Sequence, residues 1–117
     1  MRNGDAHDRK LYHAVREHKP LGDGLCQVYT DNSRRHLRVT VYGAEVFFHD
    51  NETGYWEISD GGHRHPWIIG KMNACLSGIN APVRTYWDER TNQIMVTNAT
   101  QTVGRGNKFN WRTYNVK

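Results

Sequence analysis

Arg38 and Tyr42, Arg84 and Tyr86, and Arg112 and Tyr114 each lie an even number of residues apart. On an extended strand that spacing puts both side chains on one face. A guanidinium is a planar fork that matches phosphate, and a phenol ring offers a plane for a base or for the guanidinium itself. The chemistry predicted is capture of a negatively charged, ring-bearing molecule. Gly104-Arg105-Gly106-Asn107-Lys108 adds two cations and an amide on a small backbone, as a phosphate nest would. It lacks the spacing and closing Ser or Thr of a P-loop, and a plain hairpin turn explains its glycines equally well.

His63-Arg64-His65 brings two imidazoles into an HxH pattern before a helix. Both rings would project to one side of an extended backbone, as two metal ligands do. His36, His49 and Asp60 are the candidates for a third ligand, and no spacing selects among them, so no metal is assigned. The same residues can cap the helix, or face an anion near its N-terminus. No nucleophile arrangement stands out: Ser33, Ser59 and Ser77 sit in no nucleophile elbow, and Cys26 and Cys75 have no neighbours that would lower a thiol pKa. Asp60, Asp88 and Glu89 are ordinary turn residues. The reading is binding without turnover and without a cofactor, against a minority reading of a metal-dependent hydrolase using His63 and His65.

The 117 residues make one domain, with a net charge of +4 when His is neutral. Arg outnumbers Lys, which favours phosphate forks and ring stacking over hydrated point charges. The partner expected is anionic. Cys26 and Cys75 lack CxxC spacing, which excludes a zinc finger, and are read as half-buried thiols in a reducing compartment, with one disulfide as the alternative. No run approaches the roughly 20 apolar residues of a membrane span, and Met1-Arg2-Asn3-Gly4-Asp5 lacks the apolar stretch of a signal peptide, so a cytoplasmic protein is expected.

The elements that must position these groups follow from periodicity. Leu11, Val15 and His18 share a face of a short N-terminal helix stopped by Pro20, read as a possible arm over 1–20. Strands are predicted over 25–30, 36–42, 45–50 and 55–59; Leu37, Val39 and Val41 form an oily face, and Val46 and Phe48 share a face. Ile68, Met72, Cys75, Leu76 and Ile79 form one stripe of a helix over 66–79. Strands over 83–88, 93–97 and 109–116 follow, with a flexible basic loop over 103–108. The four Trp, at 56, 67, 87 and 111, are read as core. The fold expected is α+β: a single antiparallel sheet of about five to seven strands with one central helix packed on it.

Val41-Tyr42-Gly43-Ala44-Glu45-Val46, Tyr55-Trp56-Glu57-Ile58, Gly61-Gly62, Lys71-Met72-Asn73 and Val83-Arg84-Thr85-Tyr86 together resemble small accessory proteins of tailed bacteriophages. The resemblance implies a virus-encoded protein acting in the host cytoplasm by binding. It would neutralise a host defence by sequestering a nucleotide signal or by occluding a host nuclease or polymerase. On the strand-face and loop chemistry above, and not on the resemblance, the ligand-binding residues expected are Arg38, Tyr42, Arg84, Tyr86, Arg105, Asn107, Lys108, Arg112 and Tyr114, with His63, Arg64 and His65 as candidate anion contacts. The competing readings are a DNA- or RNA-binding protein using the same face, and an inhibitor docking on a host enzyme through Trp111 and Tyr114. A homo-oligomer is expected, because small sheet proteins often place nucleotide sites between subunits.

Overall fold

The computed structural model describes residues 6–22 and 24–115. Helix α1, Ala6–Glu17, buries Leu11, Ala14 and Val15. It ends two residues ahead of the predicted stop: His18 turns left-handed at φ 55, and Lys19 N–H donates to Ala14 C=O at 2.9 Å. The helix is a packed element and not an arm.

The chain then forms β1 (Leu21–Gly22), β2 (Cys26–Thr30), β3 (His36–Val41), β4 (Ala44–Asp50) and β5 (Trp56–Ile58). Helix α2 spans Ile68–Gly78, followed by β6 (Arg84–Asp88), β7 (Gln93–Thr97), β8 (Thr102–Arg105), β9 (Phe109–Asn110) and α3 (Trp111–Asn115). Pairing is antiparallel throughout, in the orders β1-β2-β3-β4-β5-β9 and β6-β7-β8. The α+β class holds, but the expected single sheet is two. The reason lies at β6, whose Thr85 is buried and held by a side chain instead of a strand. Asn73 on α2 accepts Thr85 N–H at 2.8 Å and donates to Thr85 C=O at 3.0 Å. That amide occupies the edge of β6, and the free edge of β5 is taken by β9.

One apolar core joins both sheets and the two long helices. Leu37, Val39 and Val41 are buried as their alternation predicts, and so are Ile68, Met72, Cys75 and Leu76 on α2. Cys26 and Cys75 are fully buried, not half-buried, and burial pushes the Cys75 thiol well above its ordinary value.

Other expectations are corrected. A bulge between Val39 and Thr40 shifts the register, so Val46 and Phe47 are buried and Phe48 turns outward. Among the tryptophans only Trp56 is core; Trp87 packs against it half-buried, while Trp67 and Trp111 are 37% and 38% exposed. The predicted last strand stops after two residues, because Asn110 Oδ1 accepts Thr113 N–H at 2.8 Å and starts α3.

Gly78 sets how closely the helices approach. A Cβ there would lie 2.7 Å from Val15 Cγ1 and 3.2 Å from the Arg16 backbone nitrogen. Alanine is the better helix former by about 1 kcal/mol, yet Gly78→Ala is expected to destabilise by about 1–3 kcal/mol, because α1 must move away. Urea unfolding checks this; a variant as stable as the parent would mean that the helices slide apart at no cost.

Candidate functional site

The three predicted Arg–Tyr pairs do not share a surface. Arg38 lies on the outer face of β3, 3.1 Å from the Glu45 carboxylate and 4.8 Å above the Phe48 ring. Tyr42 is not a strand residue: with φ 50 it forms, with Gly43 at φ 82, the two-residue turn between β3 and β4. It stands 68% exposed against the edges of His63 and Trp67. Arg112 and Tyr114 belong to α3, where Arg112 caps the Tyr55 ring at 5.5 Å and Tyr114 packs on the core. Arg84 and Tyr86 lie on β6 in the other sheet. Arg84 donates to the Ala81 and Val83 carbonyls, and Tyr86 hydrogen-bonds Thr102 at 2.9 Å.

The outer face of the larger sheet carries rings, but its charges are largely paired. Besides Arg38 with Glu45, Arg35 grips Asp50 through two hydrogen bonds of 3.0 Å and pairs with Glu52. His36 meets Asp31 at 2.8 Å. Counterions for a polyanion to displace are few on such a surface.

The HxH pair also separates. His63 Nε2–H donates to Val41 C=O at 2.9 Å, and His65 Nδ1 accepts Trp67 N–H at 3.3 Å, so the two rings have different tasks. Among the described residues no group of three or more His, Cys, Asp or Glu side chains is placed to hold a metal ion.

The basic loop is partly strand, and its glycines answer to packing. A Cβ on Gly104 would meet the Phe109 ring, and one on Gly106 would overlap Ile94, to whose carbonyl Gly106 N–H donates at 2.6 Å. Neither glycine takes the positive φ that a nest requires, and Lys108 stays in the exposed turn.

Three predicted residues do converge. Arg64, Arg105 and Asn107 line a cleft of about 80 Å³ with Asp60, Trp87, Asn92, Gln93 and Ile94. Its layers follow from exposure. Asp60 and Ile94, 5% and 4% exposed, make the floor. Trp87 and Gln93 are half-buried walls, and Arg64, Asn92, Arg105 and Asn107 stand exposed at the rim. The parts come from four places: the turn after β5, the approach to α2, the β6–β7 hairpin, and the end of β8. Gly61 and Gly62, both at positive φ, form the tight turn that lets Asp60 Oδ1 accept Gly62 N–H at 2.8 Å. Ser59 Oγ–H donates to Asn107 C=O at 3.0 Å and ties that turn to the end of β8. Neither rim guanidinium has an ion-pair partner among the described residues.

Sequence reasoning names Arg64, Arg105 and Asn107 on the rim and misses Asn92, the floor and the walls. In the sequence Asp60 reads as a candidate metal ligand or turn residue and Trp87 as core, and only the tertiary fold brings them to the cleft that Arg105 lines. Comparison with protein-family models, with curated proteins and with solved structures found no match. No helix among the described residues is long and apolar enough to cross a membrane.

Proposed function

We propose that this chain binds an anionic, nucleotide-like ligand in the cleft between the turn after β5 and the β6–β7 hairpin, without turnover. The observation carrying this reading is the pair of rim guanidiniums, Arg64 and Arg105, without carboxylate partners among the described residues, on the same cleft as the indole of Trp87. Guanidiniums in that state supply charge-assisted hydrogen bonds to phosphate, and the indole supplies a plane for a ring. A volume of about 80 Å³ is well below the roughly 300–1,000 Å³ of a pocket that swallows its ligand. One end of the ligand enters, therefore, and the remainder lies over the rim. The phage resemblance fits this reading: a protein that holds a soluble nucleotide signal needs a grip on it and no catalytic group.

Isothermal titration of the full chain with nucleoside monophosphates tests the site. The double variant Arg64→Ala/Arg105→Ala is expected to lose at least about 100-fold in affinity, since each hydrogen bond to a charged group contributes about 1.5–3 kcal/mol. Its melting temperature should stay near that of the parent, because both side chains are exposed. Unchanged affinity in the double variant would place the ligand elsewhere.

A further inference from the structure

We propose that the cleft selects a guanine base, with Asp60 reading the base edge; the inference rests on the nucleotide-binding reading above. Asp60 is 5% exposed, and its carboxylate has no ion-pair partner among the described residues. Its Oδ1 accepts one backbone hydrogen bond, from Gly62 at 2.8 Å. An ionised carboxylate has acceptor sites for about four hydrogen bonds and no donor. Asp60 Oδ2 accepts none among the described residues, and Asp60 lines the cleft, so acceptor sites stay available to an occupant that brings donors.

The layering gives the occupant a direction. Donors face inward to Asp60, negative charge faces outward to Arg64 and Arg105, and a flat body passes Trp87. Among the common bases, guanine carries two adjacent donors on one edge, N1–H and the N2 amino group, in the spacing of two carboxylate oxygens. Adenine and cytosine place an acceptor nitrogen beside their amino group, which the carboxylate repels. Uracil has one N–H flanked by two carbonyls. The Asn92 and Gln93 amides, on the same cleft, can donate to the guanine O6 oxygen.

The test compares GMP, IMP, AMP and inorganic phosphate on the full chain by titration calorimetry. GMP is expected to bind about 10- to 100-fold more tightly than AMP. IMP, which lacks the N2 amino group, should fall between them. Asp60→Asn keeps an oxygen for the Gly62 N–H, so the turn survives, while the amide disrupts the paired acceptors. In that variant GMP and AMP should bind alike, at the parent's affinity for AMP, with the unfolding midpoint measured alongside. If the variant does not fold, the order GMP over IMP over AMP on the parent decides alone. Equal binding of all three nucleotides by the parent would overturn the base assignment and leave the anion site standing. Binding of none of them would overturn the underlying reading as well.

Discussion

Replacing Lys71 with Met is expected to remove about 3–5 kcal/mol of stability, the largest loss of any single substitution considered for this chain. Lys71 faces the buried side of α2, and its ammonium lies 2.8 Å from Asp8 Oδ1 on α1 and 5.7 Å from the Trp67 ring centre. The two side chains are only 6% and 18% exposed. Taking both charges out of water is expensive, and their attraction offsets that cost only while both are present. Methionine fills the volume of the lysine stem but leaves the carboxylate held between the helices. Gly70 deepens the effect, because a Cβ there would overlap Asp8 Oδ2, so the carboxylate has been brought in against the α2 backbone. A double-mutant cycle with Asp8→Asn separates charge from packing. The double variant should recover a large part of the loss, since neither charge remains to be held out of water. Strictly additive losses in urea unfolding would mean that the ion pair contributes nothing beyond its atoms. Total stability for a domain of this size is about 5–15 kcal/mol, so the cycle should be run with a stabilising osmolyte present.

The parts of this fold that were legible in the sequence are those where a local pattern decides burial. Leu37, Val39 and Val41 alternate on a strand buried on one face, and Ile68, Met72, Cys75 and Leu76 recur at helical spacing; all seven are buried. Parity failed where a single residue was inserted. The bulge beside Val39 reverses every side chain after it, which sends Phe48 out to meet Arg38. The start of α3 had a local signal, Asn110 three residues before Thr113, which the alternation of Trp111 to Val116 masked. Convergence was the least legible property. Arg38 has a carboxylate partner because Glu45 lies across the hairpin, and Arg105 has none among the described residues, but both read as basic residues in the chain. What separates them is the identity of the neighbour brought in by pairing, and no spacing rule reports that. Asp60 reads as an ordinary turn residue, yet an Asp before two glycines makes a turn that can bury a carboxylate.

Acidification is expected to weaken the fold in two stages, because two sets of groups hold their protonation states for different reasons. His18 Nδ1–H donates to the Arg34 carbonyl at 2.6 Å, which leaves Nε2 to accept from His49 Nδ1–H at 2.9 Å. Ring centres 5.1 Å apart agree with nitrogens pointing straight at each other. This chain of hydrogen bonds ties the end of α1 to the β2–β3 turn and to β4 while both rings are neutral. Burial holds both imidazoles below their ordinary value, and His49, beside His18, is lowered to about 4. With depressed folded values the unfolded chain takes up protons first, so this contribution is complete above about pH 6.5 and is lost as the pH falls through the folded values. The second stage belongs to Asp50. The Arg35 fork, then the Glu52 and Thr53 N–H groups, hold its carboxyl far below the ordinary 3.8. Its contribution is complete above that value and disappears as the pH falls below it. Denaturant midpoints measured from pH 7 to pH 2 should therefore decline gently to about pH 4 and steeply thereafter. His18→Asn/His49→Gln should flatten the upper limb, Asn being tolerant of the left-handed backbone at that position. Asp50→Asn should flatten the lower limb and lower the midpoint at every pH, since Arg35 loses its bidentate partner. An upper limb that persists without the two histidines would assign it to other groups and sink the imidazole account.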